Sequence, residues 1–119
     1  MVSDGPARPP QVPVPGRPVR GSRTGRPVMA LLDLLGRRWT LRLLWELRDG
    51  PLRFVALRKA AGGVSQSVLV VRLAELTAAG IVEEAGDGYA LTARGRALTV
   101  QLVKLDRWAQ EWAEDLALR

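Results

Sequence analysis

The sequence predicts a mainly helical domain with one small β-hairpin: a winged helix-turn-helix with a short helix before it and a long helix after it. Three observations predict this fold. Two helical stretches meet at Gly62-Gly63, and two helices joined by a short glycine turn are typical of a helix-turn-helix. Two strand-like runs flank Gly86-Asp87-Gly88, which indicates a hairpin turn. The chain then ends in a leucine-rich heptad pattern, typical of a helix that packs along another helix.

The composition of the 119 residues narrows the class of function. The formal net charge is +6, which favours an anionic partner such as nucleic acid. The chain has no cysteine and no histidine, so it lacks a thiolate and the commonest general base and metal ligand. The sequence shows no nucleophile–base pair, phosphate-binding loop or metal-ligand motif. We therefore predict that the protein is not an enzyme and uses no cofactor and no metal.

The sequence shows no membrane or export signal. No apolar run approaches the roughly 20 residues of a membrane span, and the N-terminus lacks the apolar core of a signal peptide. We predict a cytoplasmic protein without a membrane partner, associated with the nucleoid when it is bound to DNA.

Residues 1–26 differ in composition from the rest of the chain. They are rich in proline and glycine and contain five arginines but one acid. Such a segment cannot bury enough apolar surface to offset the entropy lost on ordering. We predict a disordered basic tail before a folded domain over 27–119. Three interpretations remain open: an arm that adds phosphate or minor-groove contacts, a leader without a role, or a start codon placed too early, with Met29 as the true start.

Two helices are predicted before the helix-turn-helix. A proline begins a short apolar helix over 27–35, and a glycine ends it. Because this helix is apolar on most sides, we expect Leu31 and Leu35 to pack against another subunit or a long helix. A longer helix is predicted over 37–49, where a Gly-Pro pair stops it. Its inward face consists of Trp39, Leu43, Leu47 and, beside them, Leu44.

The helix-turn-helix itself consists of two predicted helices. The chain from Leu52 enters the first helix, with Phe54, Leu57 and Ala61 facing inward. The second helix covers about 65–79, with Ser65 as its N-cap and Gly80 as its terminator. Val64 and Leu69 stand at the positions of a hydrophobic staple. One apolar stripe, spaced i, i+4 and i+7, predicts the buried side of this helix: Leu69, Leu73 and Leu76.

The opposite face of the 65–79 helix is small and low in charge. It consists of Gln66, Ser67, Val70, Val71 and Ala74. A helix with one leucine stripe and one smooth face can lie in a DNA major groove, which is wide enough for it. The alternative is an ordinary amphipathic helix of a small domain.

The last predicted helix begins at Thr92 as its cap and runs to about Leu116. Its apolar residues alternate in spacings of four and three, the a/d pattern of a coiled-coil seam: Leu98, Leu102, Leu105, Ala109, Trp112 and Leu116. Only part of such a helix is needed to close the core of one domain. We therefore predict a homodimer with two-fold symmetry. The alternative is a helix that folds back on its own domain.

From about residue 26 to the end, the chain resembles the HxlR-type family of winged-helix transcription regulators. Three stretches match it in order and spacing: LLGRRWTLRLLWELRDGPLRF (34–54), ALRKAAGGVSQSVLVVRLAELTAAGIVE (56–83) and YALTARGRAL (89–98). MarR-type regulators share the architecture but lack the sequence pattern found here between Trp39 and Phe54.

The resemblance implies a dimer that binds double-stranded DNA at a pseudo-palindromic operator, with each 65–79 helix in a major groove. It implies that bases or phosphates are contacted by Ser65, Gln66 and Ser67. Arg53 and Arg72 are expected to reach phosphates. For Arg72 the alternative is an ion pair within the chain, with Glu75 or another carboxylate.

Three departures from the family pattern change what we expect. The family often has a cysteine just before the first short helix, but Arg26 stands there, so thiol sensing is excluded. Val70 and Val71 replace polar residues, and valine can contact a thymine methyl but cannot hydrogen-bond a base edge. The hairpin, which is the wing of this fold, is short and acidic. Carboxylates repel the phosphate backbone, so insertion of the wing into a DNA groove is not expected. Its acids are Glu83, Glu84 and Asp87.

Two functions remain open. The first is a dimeric, sequence-specific DNA-binding regulator. Control by a small-molecule effector is an optional part of this hypothesis. Aromatic walls suit flat apolar ligands, and the candidate pocket residues are Trp39, Trp45, Trp108 and Trp112. These tryptophans alternatively fill the dimer core. The second function is a winged-helix protein-interaction module with weak, non-specific DNA binding.

Overall fold

The computed structural model of the protein describes residues 12–16 and 26–117. Within these ranges it has five helices and three strands. In chain order they are α1 Pro27–Leu35, α2 Thr40–Glu46, β1 Leu52–Arg53, α3 Phe54–Ala61, α4 Gln66–Ala78, β2 Val82–Ala85, β3 Gly88–Leu91 and α5 Ala93–Ala117. A helix-turn-helix followed by a small antiparallel sheet and a long helix is a winged helix-turn-helix. The predicted fold class is confirmed.

The chain divides into two compact units, residues 1–34 and 35–119. Most of the predicted disordered tail lies outside the described residues, so that prediction is not tested. Of the tail, the structure describes 12–16, where Pro13 is buried, and Arg26. The first unit also contains nearly all of α1, which has the predicted bounds and in which Ala30 and Leu34 are buried.

The prediction of a helix over 37–49 is wrong at both ends, since α2 has seven residues. Trp39 precedes it with a left-handed φ of 79°, which costs an ordinary residue about 1–2 kcal/mol. Trp39 therefore does not continue the inward helical face of Leu43 and Leu47, which are fully buried. At the other end Arg48 donates to the Trp45 carbonyl oxygen at 2.7 Å. A basic side chain on the last carbonyls is a common helix terminator.

The helix-turn-helix has the predicted elements and geometry. Gly62 ends α3 with a φ of 80° and Gly63 follows with a φ of 118°, conformations that glycine adopts without steric cost. Helices α3 and α4 are bent by 106° across the break, within the range of about 90–120° for this motif. Val64 and Leu69, the predicted staple, are both buried.

The sheet has three antiparallel strands in the order β1-β3-β2. The hairpin was predicted, but β1 was not: Leu52 and Arg53 were expected only to lead into a helix, whereas they pair with Tyr89 and Gly88. A Cβ on Gly88 would overlap the Leu52 carbonyl, so this glycine allows β1 to approach. The turn is centred on Gly86-Asp87, because Ala85 pairs with Gly88.

The link from α4 to β2 is joined to the start of α5. The Thr92 hydroxyl donates to the Gly80 carbonyl oxygen at 2.7 Å and accepts from the Gly95 amide at 3.0 Å. The Thr92 amide donates to the Ile81 carbonyl oxygen at 3.0 Å. The predicted Thr92 cap is confirmed, and Gly80 ends α4 as predicted, with a φ of 76°. Helix α5 is thereby fixed to the C-terminal end of α4.

The core of the second unit is built from leucines of α2, α3 and α4 with residues of the sheet. Its fully buried side chains include Leu43, Leu44, Leu47, Leu57, Leu69, Leu73, Leu76 and Val82. Within 12–16 and 26–117, no single helix is long and apolar enough to cross a membrane. Only α3 and α4 taken together, a pair bent at the break between them, have the length and the apolar composition of a membrane span.

Replacing Gly95 with alanine should destabilise the protein. A Cβ there would overlap the Ile81 carbonyl oxygen, and such overpacking costs about 1–3 kcal/mol. Helix propensity alone would give the opposite sign, a gain of about 1 kcal/mol. Urea unfolding of Gly95→Ala beside the parent chain measures the difference. An unchanged or higher free energy of unfolding would contradict the close approach.

Candidate nucleic-acid interface

The outward face of α4 is exposed and uncharged. Its side chains are those the sequence predicted: Gln66, Ser67, Val70, Val71 and Ala74, all exposed. The stripe of Leu69, Leu73 and Leu76 is buried, as predicted. Helix α4 contains only two charged residues, Arg72 and Glu75, and neither belongs to the exposed set. The face therefore offers methyl groups along its middle and polar groups at its N-terminal end.

The N-terminus of α4 has a polar, solvent-facing cap. The Ser65 hydroxyl accepts from the Val68 amide at 3.2 Å, which confirms the predicted N-cap. It also lies 3.4 Å from the Ser67 hydroxyl. Ser65, Gln66 and Ser67 are all exposed. Free amides and hydroxyls at a helix N-terminus can bind phosphate or base edges.

Arg72 is held inside the chain. Its Nε donates to the Arg38 carbonyl oxygen at 2.8 Å, and its Nη1 pairs with the Glu75 carboxylate at 3.1 Å. Only 21% of its side chain is exposed. The alternative considered for Arg72, an ion pair with Glu75, is thus what the structure has. A phosphate contact by Arg72 would require these bonds to be broken.

Glu75 is the centre of an ion-pair cluster that sequence reasoning did not identify. Its side chain is 5% exposed and pairs with the guanidinium groups of both Arg37 and Arg72. The i, i+3 spacing of Arg72 and Glu75 was visible in the sequence. Arg37 lies 38 residues before Glu75, and no local pattern could have shown that contact. The cluster fixes α4 to the turn that precedes α2.

Arg53 is a solvent-exposed cation at the start of α3. It is the N-cap residue of α3, and its Nε pairs with the Asp87 carboxylate at 2.7 Å. The side chains are 76% and 68% exposed, and ion pairs in water contribute at most about 1 kcal/mol. A phosphate could therefore replace Asp87 at little cost.

Two further arginines brace the turn of the helix-turn-helix. The Nε of Arg58 donates to the Val64 carbonyl oxygen at 2.9 Å. Arg42 donates to the Ala60 carbonyl oxygen at 2.9 Å and pairs with Glu46 at 2.7 Å. The bonds to the Val64 and Ala60 carbonyl oxygens stabilise the four-residue turn that orients α4.

The seam of α5 changes its surroundings along the helix. Leu102 is 9% exposed and Leu98 is half-buried. Further along, Leu105, Trp112 and Leu116 are 60%, 53% and 48% exposed. Trp108 stacks on Trp112 with ring centroids 5.7 Å apart. The first turns of α5 therefore contribute to this domain, while the rest of the seam presents apolar side chains to solvent.

The four tryptophans named as pocket residues lie in different surroundings. Arg48 covers the ring of Trp45 at 4.0 Å, and Arg38 lies 5.4 Å from the ring of Trp39. A shallow depression of about 320 Å³ includes Trp39 but no other tryptophan; its lining residues are Leu35, Arg37, Arg38, Trp39, Leu41 and Arg42. This depression is not the predicted four-tryptophan pocket. Among the described residues, no group of three or more acids could hold a metal ion.

The fold and the exposed α4 face define a class: winged helix-turn-helix proteins that place the second helix of the motif against DNA. A family model described as HxlR-like helix-turn-helix matches residues 34–117. The chain belongs to this family, as its resemblance predicted.

Relatives with known names or structures agree with this assignment. The chain is 32% identical over 90 residues to the uncharacterised HTH-type transcriptional regulator YvaP of Bacillus subtilis, covering 70% of this chain and 83% of YvaP. The quinone-bound YodB of B. subtilis superposes with a TM-score of 0.66 at 34% identity, covering 71% of this chain and 96% of that one. A MarR-family regulator of Enterococcus faecalis V583 gives 0.69 at 31% identity, covering 77% and 90%. This protein is a DNA-binding HTH transcriptional regulator.

Replacing Glu75 with glutamine should lower the free energy of unfolding by about 2–3 kcal/mol, because two partly buried guanidinium groups lose their counter-charge. Glu46→Gln is the matched control. It removes one exposed i, i+4 pair with Arg42, worth about 0.3–0.5 kcal/mol. Urea unfolding of both variants measures the two losses. Equal losses would show that the Glu75 cluster contributes no more to the free energy of unfolding than one exposed ion pair.

Proposed function

We propose that this regulator acts as a homodimer on a pseudo-palindromic operator, with the α4 helix of each subunit in a major groove. The observation that supports this most directly is the exposed, uncharged face of α4, the second helix of the motif. A major groove about 12 Å wide admits a helix. Two-fold symmetry places half-sites about one helical turn of DNA, roughly 34 Å, or a multiple of it, apart.

Each DNA-contacting group has a separate role in this proposal. Gln66 reads a base edge, since glutamine can bind adenine through two hydrogen bonds. Ser65 and Ser67 bind phosphate or base edges from the helix N-terminus. Arg53 exchanges its exposed partner for a phosphate. Arg72 is not included among the phosphate ligands, because its guanidinium already bonds to Glu75 and to the Arg38 carbonyl.

The wing stays out of the groove in this proposal. Glu83 and Glu84 on β2 are exposed, as is Asp87 at the turn. Three carboxylates would meet the phosphate backbone at close range, where like charges repel. The two-residue turn also gives the wing little reach.

The homodimer is supported by the exposed part of the α5 seam. Leucine and tryptophan side chains there are about half exposed, and burying them against a second copy would remove their apolar surface from water. The protein would then be cytoplasmic and associated with the nucleoid through its operator.

An effector is part of the proposal only as a non-covalent ligand. YodB is described with a quinone bound, and quinones are flat and largely apolar. This chain has no cysteine, so a related ligand would stack on aromatic side chains rather than bond to sulfur. The stacked pair of Trp108 and Trp112 is the surface best suited to it.

A second candidate function is favoured by two observations. Val70 and Val71 cannot hydrogen-bond to base edges, and the wing is acidic. Both features suit a winged-helix module that binds proteins and holds DNA weakly and without sequence preference.

DNA from just upstream of the protein's own coding sequence should bind the full chain in preference to a scrambled duplex. The expected preference is about a hundredfold or more, with affinity falling as salt rises. Fluorescence anisotropy with labelled duplexes across a salt series measures both. Gln66→Ala should reduce the preference, since one good base contact contributes about 1–3 kcal/mol of discrimination. Equal binding of both duplexes that collapses with salt would favour the protein-interaction module.

Replacing Leu105 with glutamate should convert the dimer to a monomer, because it buries a charge in an apolar seam. Lys104→Glu places the same new side chain one residue away, outside the seam. Light scattering after size-exclusion chromatography gives the mass of each variant. A dimer in both variants would exclude the Leu105 seam as the interface.

A further inference from the structure

Two adjacent valines dominate the middle of the exposed α4 face. Val70 is 52% and Val71 39% exposed, although neither is needed for the core. The polar groups of this face lie at its N-terminal end. Towards the other end, the Thr77 hydroxyl is bonded to the Leu73 carbonyl oxygen at 2.8 Å. The centre of the face therefore presents methyl groups alone.

The cation nearest to these valines in the sequence does not change this chemistry. Arg72 follows Val71 directly, but its guanidinium is bonded to Glu75 and to the Arg38 carbonyl oxygen. An arginine free to reach the groove would favour guanine, whose O6 and N7 accept two hydrogen bonds. With Arg72 held inside, the central part of α4 has no donor for a guanine edge.

One base presents a methyl group in the major groove, and that base is thymine. Polar base edges placed against valine would lose water without gaining a hydrogen bond, which is unfavourable. We infer that Val70 and Val71 determine specificity by apolar contact, and that the centre of each operator half-site presents thymine methyl groups to them. This inference rests on the proposed placement of α4 in the major groove.

The two positions should read different base pairs. Successive helical residues are about 100° apart around the axis, at 3.6 residues per turn. Val70 and Val71 therefore point to different sides of the groove. A half-site with two neighbouring thymines, on one strand or on opposite strands, meets both.

The test compares thymine with uracil, which pairs identically and lacks only the 5-methyl group. The full chain is first used to enrich a duplex from a randomised library. Each half-site thymine of that duplex is then replaced by deoxyuridine, one position at a time. Where a valine contacts the methyl, we expect the affinity to fall about threefold to fourfold per methyl group, the loss that corresponds to one buried methyl. Thymines elsewhere in the duplex should tolerate the change.

Variants connect the effect to the two side chains. Val70→Ala and Val71→Ala should each show a smaller loss of affinity with uracil at one position, because the γ-methyl groups that reach the thymine methyl are removed. Both sites are exposed, and alanine has the higher helix propensity, so folding is preserved. Val55→Ala is the matched control: Val55 is 68% exposed but belongs to α3. This control should keep the full response to uracil.

The outcomes separate the inference from the proposed function. Enrichment of a duplex whose binding is indifferent to uracil would overturn the inference and leave operator recognition intact. A response to uracil that persists unchanged in both alanine variants would also overturn it. Failure to enrich any sequence would overturn the proposed function, and the inference with it.

Discussion

The buried carboxylate of Glu75 is the interaction on which the rest of the site depends. It joins two guanidinium groups from distant parts of the chain, and Arg72 extends the contact to the Arg38 carbonyl. The left-handed Trp39 directly follows this carbonyl, so an unfavourable backbone conformation is retained where the cluster forms. The leucine stripe buries one side of α4. The ion-pair cluster ties the helix to a particular turn, which apolar packing alone specifies less sharply.

Because of the same cluster, the residues that could attract phosphates differ from those that could recognise bases. Both charged residues of α4 are used within the chain, so the face offered to DNA is neutral. In the proposed complex, phosphate attraction would come from cations outside α4, such as Arg53, and from the pairing of two subunits. Contacts to phosphate position a protein without reading sequence. In the proposed complex the two tasks fall to different elements, and the bases would meet serine, glutamine and valine side chains.

Residues that cap or terminate helices explain which elements could be predicted from the sequence. Ser65, Gly80 and Thr92 fix helix ends by local hydrogen bonds or a left-handed φ, and the structure has them where the sequence placed them. Strand β1 is two residues long and has no periodicity, since it forms only because Gly88 allows close approach. The shortened α2 likewise depends on Trp39, whose conformation no propensity predicts. The Glu75 cluster joins residues far apart in sequence, so only tertiary structure shows it.

The junction of α4 with α5 connects the proposed DNA-binding face to the proposed dimer seam. The Thr92 hydroxyl bonds at once to the end of α4 and to the first turn of α5, and Gly95 lies against the Ile81 carbonyl. These short contacts fix the end of α4 against the start of α5. In the proposed dimer, the pairing of two α5 seams then sets the separation of two α4 helices. A ligand that changed the packing at Trp108 and Trp112 would change that separation, and with it the fit to two major grooves.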